Sequence, residues 1–147
     1  MDYLLDTGIL LVFLRRSSLC NEIKQTFQLM SSKNTSMISV VSVGEIKSIA
    51  IRNQWAPKRM DFFGQFFQQF LIADINVESI IQRYAEIDAY SQGKLPGKPL
   101  LMSARNMGKN DLWIAATASV LEATLLTLDH DFNHLRNEFL QVETIDY

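Results

Sequence analysis

One cysteine in 147 residues, Cys20, leaves this chain without an internal disulfide, and a reducing cytoplasm is the expected compartment. Long apolar runs are missing as well. The stretch Gly8 to Leu14 is far too short to cross a bilayer. It follows Asp2 and Asp6 and precedes Arg15 and Arg16, the reverse of the charge order in a secretory signal, so neither a leader nor a membrane anchor is expected. Charge of one sign is lacking too. The balance of 14 basic against 16 acidic residues gives a net charge of −2, so the whole molecule does not steer toward nucleic acid. A phosphate-bearing partner would have to meet a local basic patch or a metal. There is no Cys/His cluster of the kind that holds zinc. Repeats, low-complexity segments and linkers are absent. With 48% apolar and 20% charged residues, the composition is that of one globular domain over 1–147, not of a disordered chain.

What is present centres on one stretch. Asn110, Asp111, Leu112, Trp113, Ile114, Ala115, Ala116, Thr117 and Ala118 read as a helix with Asp111 at its start. Ala115, Ala118 and Ser119 keep one face small enough to pack closely on a sheet. Thr124 to Leu128 has strand composition, and Asp129 and Asp131 follow at its end.

The remaining chain repeats this alternation. Tyr3-Leu4-Leu5 predicts a buried strand ending in Asp6, Thr7 and Gly8, followed by a short helix over 9–16. Ile23, Phe27 and Met30 predict an amphipathic helix over Cys20 to Met30. Ser36 to Val41 reads as a second strand. Ser42 and Glu45 then form a capping-box pattern opening a helix to about Asn53. Pro57 stands near the start of a helix carrying Phe62, Phe63, Phe66, Phe67 and Phe70 on one broad face. Leu71 to Ile75 is a third strand. Val77 to Ser91 is a helix with Ile80, Ile81, Tyr84, Ile87 and Ala89 toward the core, stopped by Gly93. Leu95 to Met107 is a loop with one helical turn at most, and Leu140 to Ile145 is a last strand. Strands alternating with helices predict an α/β fold, a three-layer sandwich with a mostly parallel central sheet. Ligands of such folds bind outside the carboxyl ends of the strands.

Asp6, Glu45, Asp111 and Asp129 all fall on that rim, with Asp131 two residues further. Singly each has an ordinary explanation: Glu45 as a helix cap, Asp111 as a charge favoured by the macrodipole, Asp129 as a turn residue. Jointly they do not. Four like charges on one rim repel by several kcal/mol at low effective dielectric, unless a cation compensates them or protons neutralise some. All-oxygen ligands select hard cations, Mg²⁺ or Mn²⁺, and such a site suits phosphodiester hydrolysis by an activated water. Thr7 and Thr127 are hydroxyls beside the rim that could orient a carboxylate or a water. His130 and His134 fit a structural or solvent role better than ligation.

These residues resemble the PIN-domain ribonucleases, and most closely the VapC-type toxins of toxin–antitoxin pairs. The resemblance runs through Leu4-Leu5-Asp6-Thr7, Ser39 to Ile46, Arg83 to Ile87, Asn110 to Ala118 and Thr127 to Phe132. The last two segments, in that order and at that separation, are the specific part. Gly8 stands where the family usually has Asn. The resemblance implies a PIN-like fold with Asp6, Glu45, Asp111 and Asp129 as catalytic and metal-binding carboxylates, and Asp131 as a further metal-site residue. It implies Mg²⁺- or Mn²⁺-dependent cleavage of RNA, leaving a 5′-phosphate and a 3′-hydroxyl. It also implies a homodimer and a small antitoxin partner whose tail blocks the acidic groove.

Binding RNA at net −2 requires local cations. Arg15, Arg16, Lys47, Arg52, Lys98, Arg105 and Lys109 are candidates, with Lys47 and Lys109 favoured for their nearness in sequence to Glu45 and Asp111. The phenylalanines of 62–70 with Trp55 exceed what one helix usually buries, which assigns part of that face to an antitoxin or dimer groove. Three other readings are weaker. A structure-specific DNA nuclease shares the carboxylate chemistry, but the chain has no stretch for a long arch or clamp insertion. Leu4 to Gly8 also resembles the start of a retropepsin-type aspartic protease, but the helical periodicity contradicts an all-β fold. A non-enzymatic PIN-like module acting through a DNA-binding antitoxin leaves the retention of every acidic residue without a reason.

Overall fold

The computed structural model describes residues 1–15 and 18–146. Five strands form one parallel sheet in the order β3-β2-β1-β4-β5. They are β1 (Asp2–Leu5), β2 (Thr35–Ser39), β3 (Leu71–Ala73), β4 (Thr124–Thr127) and β5 (Gln141–Thr144). The helices are α1 (Thr7–Leu14), α2 (Ser18–Thr26), α3 (Val40–Arg52), α4 (Pro57–Phe67), α5 (Glu78–Ser91) and α6 (Lys109–Val120). A 3₁₀ segment, His130–Leu135, joins β4 to β5.

Strand alternation divides the core in two. Leu4, Met37, Leu125 and Val142 point to one face and pack with Ile80 and Ile87 of α5, with Leu112, Ala115 and Ala118 of α6, and with Phe132. Tyr3, Leu5, Ile38 and Leu126 point to the other and pack with α1, α2, Ile46 of α3 and the phenylalanines of α4. Helices thus cover both faces, and the three-layer arrangement follows from strands that are apolar on both sides. The chain winds from β1 outward to β2 and β3, then returns to lay β4 on the opposite side of β1. Between β1 and β4 the winding reverses, and a crevice opens at the carboxyl ends of those two strands.

Several local expectations shift. The second strand stops at Ser39, because the Ser39 side chain accepts from Val41 N and starts α3 at Val40. The β-branched pair Val40-Val41, expected as strand, is the first turn of a helix. Ser42 is therefore not the cap but a buried residue inside α3. Helix α2 ends at Thr26, and Met30 lies beyond it, 67% exposed. Ile81 is also exposed, while Ile80 and Ile87 are buried. The segment 95–107 contains no helical turn. Of the phenylalanine stripe, Phe63, Phe66 and Phe67 are buried core residues, and Trp55 stacks edge-on against Phe63 with Arg59 over its other face. The core thus claims most of the aromatic surface that the sequence assigned partly to a groove. Arg16 lies outside the described residues.

Candidate active site

Each acidic residue reaches the crevice by a different element. Asp6 is both the residue after β1 and the N-cap of α1: its Oδ1 accepts from Thr7 N at 2.8 Å. Its Oδ2 accepts from Thr127 Oγ1 at 2.7 Å, at the end of β4. Thr127 Oγ1 in turn accepts from Asp129 N at 3.0 Å, so one buried hydroxyl ties the ends of both strands together. Asp129 caps the 3₁₀ segment, accepting from Asp131 N at 2.9 Å. On the other side, Thr7 Oγ1 lies 2.8 Å from Glu45 Oε1 and 2.9 Å from Ser42 Oγ. Glu45 thus sits in the second turn of α3, held by α1 across the crevice. Asp111 rises from the first turn of α6, and among the described residues its carboxylate has no hydrogen-bond partner.

The result is an open cleft of about 450 Å³ lined by Asp6, Thr7, Gly8, Glu45, Asp111, Leu128, Asp129 and His130. All four expected carboxylates meet there, flanked by Thr7 and beside the buried Thr127. Asp131 does not: it is exposed and lines a neighbouring groove with Asp111. Lys47 and Lys109 are exposed and line neither. Two residues along a helix face opposite ways, so each lysine points away from the carboxylate two positions from it. His130 lines the cleft but faces Asp146 at 3.0 Å, while His134 is buried against Ser91 at 2.8 Å. A slightly larger cavity, about 500 Å³, opens at the amino ends of β4 and β5 and gathers no such acidic cluster.

Electrostatics mark the cleft as strained in charge. Burial, opposed by its two hydrogen bonds, pushes the Asp6 carboxyl above its ordinary value, and Glu45 and Asp129 add to the rise. Burial and the surrounding carboxylates push Asp111 up to about 6. Among the described residues no ion pair compensates any of the four. Nor are three of them already drawn into a ready-made metal cage among the described residues. Like charges hold apart, yet every donor is a hard oxygen and the excess charge is negative, a set that fits a divalent cation such as Mg²⁺ or Mn²⁺.

Two features escaped the sequence. Ser42 was read as a cap, although its spacing of three from Glu45 places both on one face of α3. The end of segment 95–107 is held to Ser91, whose O accepts from Arg105 N and whose Oγ donates to Met107 Sδ, and no local pattern announces those contacts.

Comparison with known proteins fits this geometry. The PIN domain profile matches residues 3–138. The chain belongs to the PIN-domain family. Its fold is also that of PIN-like chains in solved toxin–antitoxin complexes. A chain of VapBC2 from Rickettsia felis, bound to a DNA fragment from their promoter, superposes with a TM-score of 0.77 at 22% identity, covering 99% of this chain and 100% of that one. VapBC-1 from nontypeable Haemophilus influenzae gives 0.70 at 24% identity, covering 98% of each. DNA-bound VapBC from Salmonella typhimurium gives 0.73 at 16% identity, covering 98% of each. No curated protein matches the chain. Within this PIN domain, the cleft lies where the strand order reverses, and Asp6 and Thr127 join the two strands that flank the reversal. Among the described residues no helix is long and apolar enough to cross a membrane.

Proposed function

We propose that this PIN domain is a divalent-metal-dependent endoribonuclease and the toxin of a toxin–antitoxin pair. One observation carries the reading: four carboxylates from four separate elements share one cleft at the β1/β4 reversal, and among the described residues none of them has an ion-pair partner. PIN domains are generally nucleases, and a purely structural role gives no reason to gather unpaired charge at that cost. Asp6, Glu45, Asp111 and Asp129 would hold Mg²⁺ or Mn²⁺. Such a cation supplies activation of water and neutralises charge at the leaving oxygen of a phosphodiester.

The chain's own residues do the positioning. Thr7 N and Thr127 Oγ1 fix both oxygens of Asp6, so that carboxylate cannot swing out of the cleft. Thr7 Oγ1 donates to one oxygen of Glu45, Oε1, and Ser42 Oγ, 2.9 Å from that hydroxyl, helps to position it. Asp111 lacks such ties among the described residues and is free to accept a proton from a water. Hydrolysis then leaves a 5′-phosphate and a 3′-hydroxyl on single-stranded RNA. The relatives named as VapBC complexes support a small antitoxin as partner, and two of those complexes are bound to DNA. A homodimer working in the cytoplasm completes the reading.

Cleavage of a mixed single-stranded RNA pool tests it. With Mn²⁺, the purified protein should cut the RNA; EDTA or Asp111→Asn should stop it without loss of fold. Undiminished cutting by the variant would remove Asp111 from the site, and no cutting by well-folded, metal-loaded protein would favour a binding module.

A further inference from the structure

The cleft is wholly acidic, so an RNA strand needs cations beside it to stay in register. Lys47 and Lys109 face elsewhere. Arg105 does not. Next to the cleft lies a groove of about 290 Å³ whose lining includes Arg105, Asn106, Gly108, Asp111 and Asp131. It shares Asp111 with the cleft, so the two adjoin at that residue. On its far side Arg105 also lines a shallower hollow of about 240 Å³ with Gln92 and Lys94.

Arg105 is short of partners. Its Nε–H is buried and finds no acceptor, and its Nη2 donates only to the weak acceptor Met102 Sδ at 3.5 Å. Among the described residues it makes no ion pair, and neither does Lys94. A half-buried guanidinium without an anion carries a desolvation cost that an anionic ligand would relieve. Its position is nonetheless fixed. Arg105 N donates to Ser91 O at 2.9 Å, and Ser91 Oγ donates to Met107 Sδ at 3.4 Å while lying 2.8 Å from His134 Nε2. The loop is thereby pinned on both sides of Asn106, and the Arg105 side chain starts from a fixed point beside the groove.

We infer that Arg105 and Lys94 form a phosphate-binding track for the RNA strand flanking the scissile bond, leading out of the cleft past Asp111. The inference rests on the ribonuclease reading. A planar guanidinium suits a phosphodiester better than a point charge, since two N–H groups can meet two phosphate oxygens. Arg105 joins the groove to the hollow that Lys94 lines, and neither cation lines the carboxylate cleft, which leaves the phosphates flanking the scissile bond for them to meet.

The test is salt-dependent binding of a labelled, mixed-sequence single-stranded RNA of about a dozen nucleotides, a length suited to a single groove. Glu45→Gln serves as the background, to suppress cleavage. Adding Arg105→Gln should weaken binding about tenfold, as expected for a lost charge-assisted contact. It should also reduce the slope of log affinity against log salt by about 0.7, the share of one phosphate on a single strand. Arg105→Lys should keep the slope and recover part of the affinity, and Lys94→Gln should lower the slope likewise. Thermal melting checks that each variant is folded. An unchanged slope in Arg105→Gln, with RNA bound by the background protein, overturns the track and leaves Arg105 a structural residue. An unmutated protein that neither binds nor cuts the same RNA with Mn²⁺ present overturns the ribonuclease reading itself, and that arm tells the two failures apart.

Discussion

Thr127 is the residue on which the geometry of the cleft turns. It is fully buried, and its one hydroxyl donates to Asp6 Oδ2 and accepts from Asp129 N. Valine has nearly the same shape and neither hydrogen-bonding capacity. Thr127→Val should therefore leave packing intact while stranding a buried carboxylate oxygen and a backbone N–H. The expected loss is about 1–3 kcal/mol, read as a lower urea midpoint at unchanged m-value. The Thr127 hydrogen bond also restrains the rise of the Asp6 carboxyl, so its removal should push that group further up and make Mn²⁺ binding more sensitive to acid. A variant as stable as the parent, with metal binding no more sensitive to acid, would reduce Thr127 to a space-filling role. Its identity as a hydroxyl beside the rim was legible from sequence. That it serves two partners at once was not, because the second partner is a backbone N–H revealed only when β4 turns into the 3₁₀ segment.

At the scale of elements, the alternation of strands and helices was plain in the sequence, and the parallel three-layer sheet followed from it. Tyr3, Leu4 and Leu5 show why: an unbroken apolar run is what a strand needs when both faces are covered, and they divide between the two cores. Element ends were less legible. Val40-Val41 carries strand propensity, yet Ser39 satisfies Val41 N and the helix begins there. Local propensity gave way to a cap whose partner lies two residues on. The two serines now make separable claims. Ser39→Ala should destabilise the protein by about 1 kcal/mol through loss of the cap. Ser42→Ala should cost less stability but loosen Thr7 and Glu45, weakening metal affinity instead. Parallel denaturation and Mn²⁺ titration of the pair would decide between them. A larger stability loss from Ser42→Ala would restore the capping box that the sequence suggests.

For the molecule as a whole, the cleft exacts a cost in stability that varies with pH. In the folded protein Asp111 titrates near 6, against an ordinary 3.8. Between those values the folded state binds more protons than the unfolded one, so stability falls as pH rises. Below about 3.8 both states are protonated and the penalty vanishes. Above about 6 it is paid in full, and with Asp111 only half-buried it amounts to something on the order of 1–2 kcal/mol once solvent screening is allowed for. His134 has the opposite dependence. Burial and the nearby Arg105 push its pKa down, so its neutral form is favoured by folding and stability is lost as pH falls below its ordinary value. Comparing Asp111→Asn with the parent cancels the His134 contribution, since both proteins carry it. Without metal, the variant should melt higher than the parent at pH above 7, and the difference should close by about pH 4. Saturating Mn²⁺ should reverse that order. A ligand at a hundred times its Kd stabilises the folded state by about 2.7 kcal/mol, and the parent should gain this where the variant gains less. Equal Mn²⁺ shifts in both proteins would mean that Asp111 holds no metal. A metal-free difference that ignores pH would mean that repulsion among the four carboxylates is not what the cleft stores.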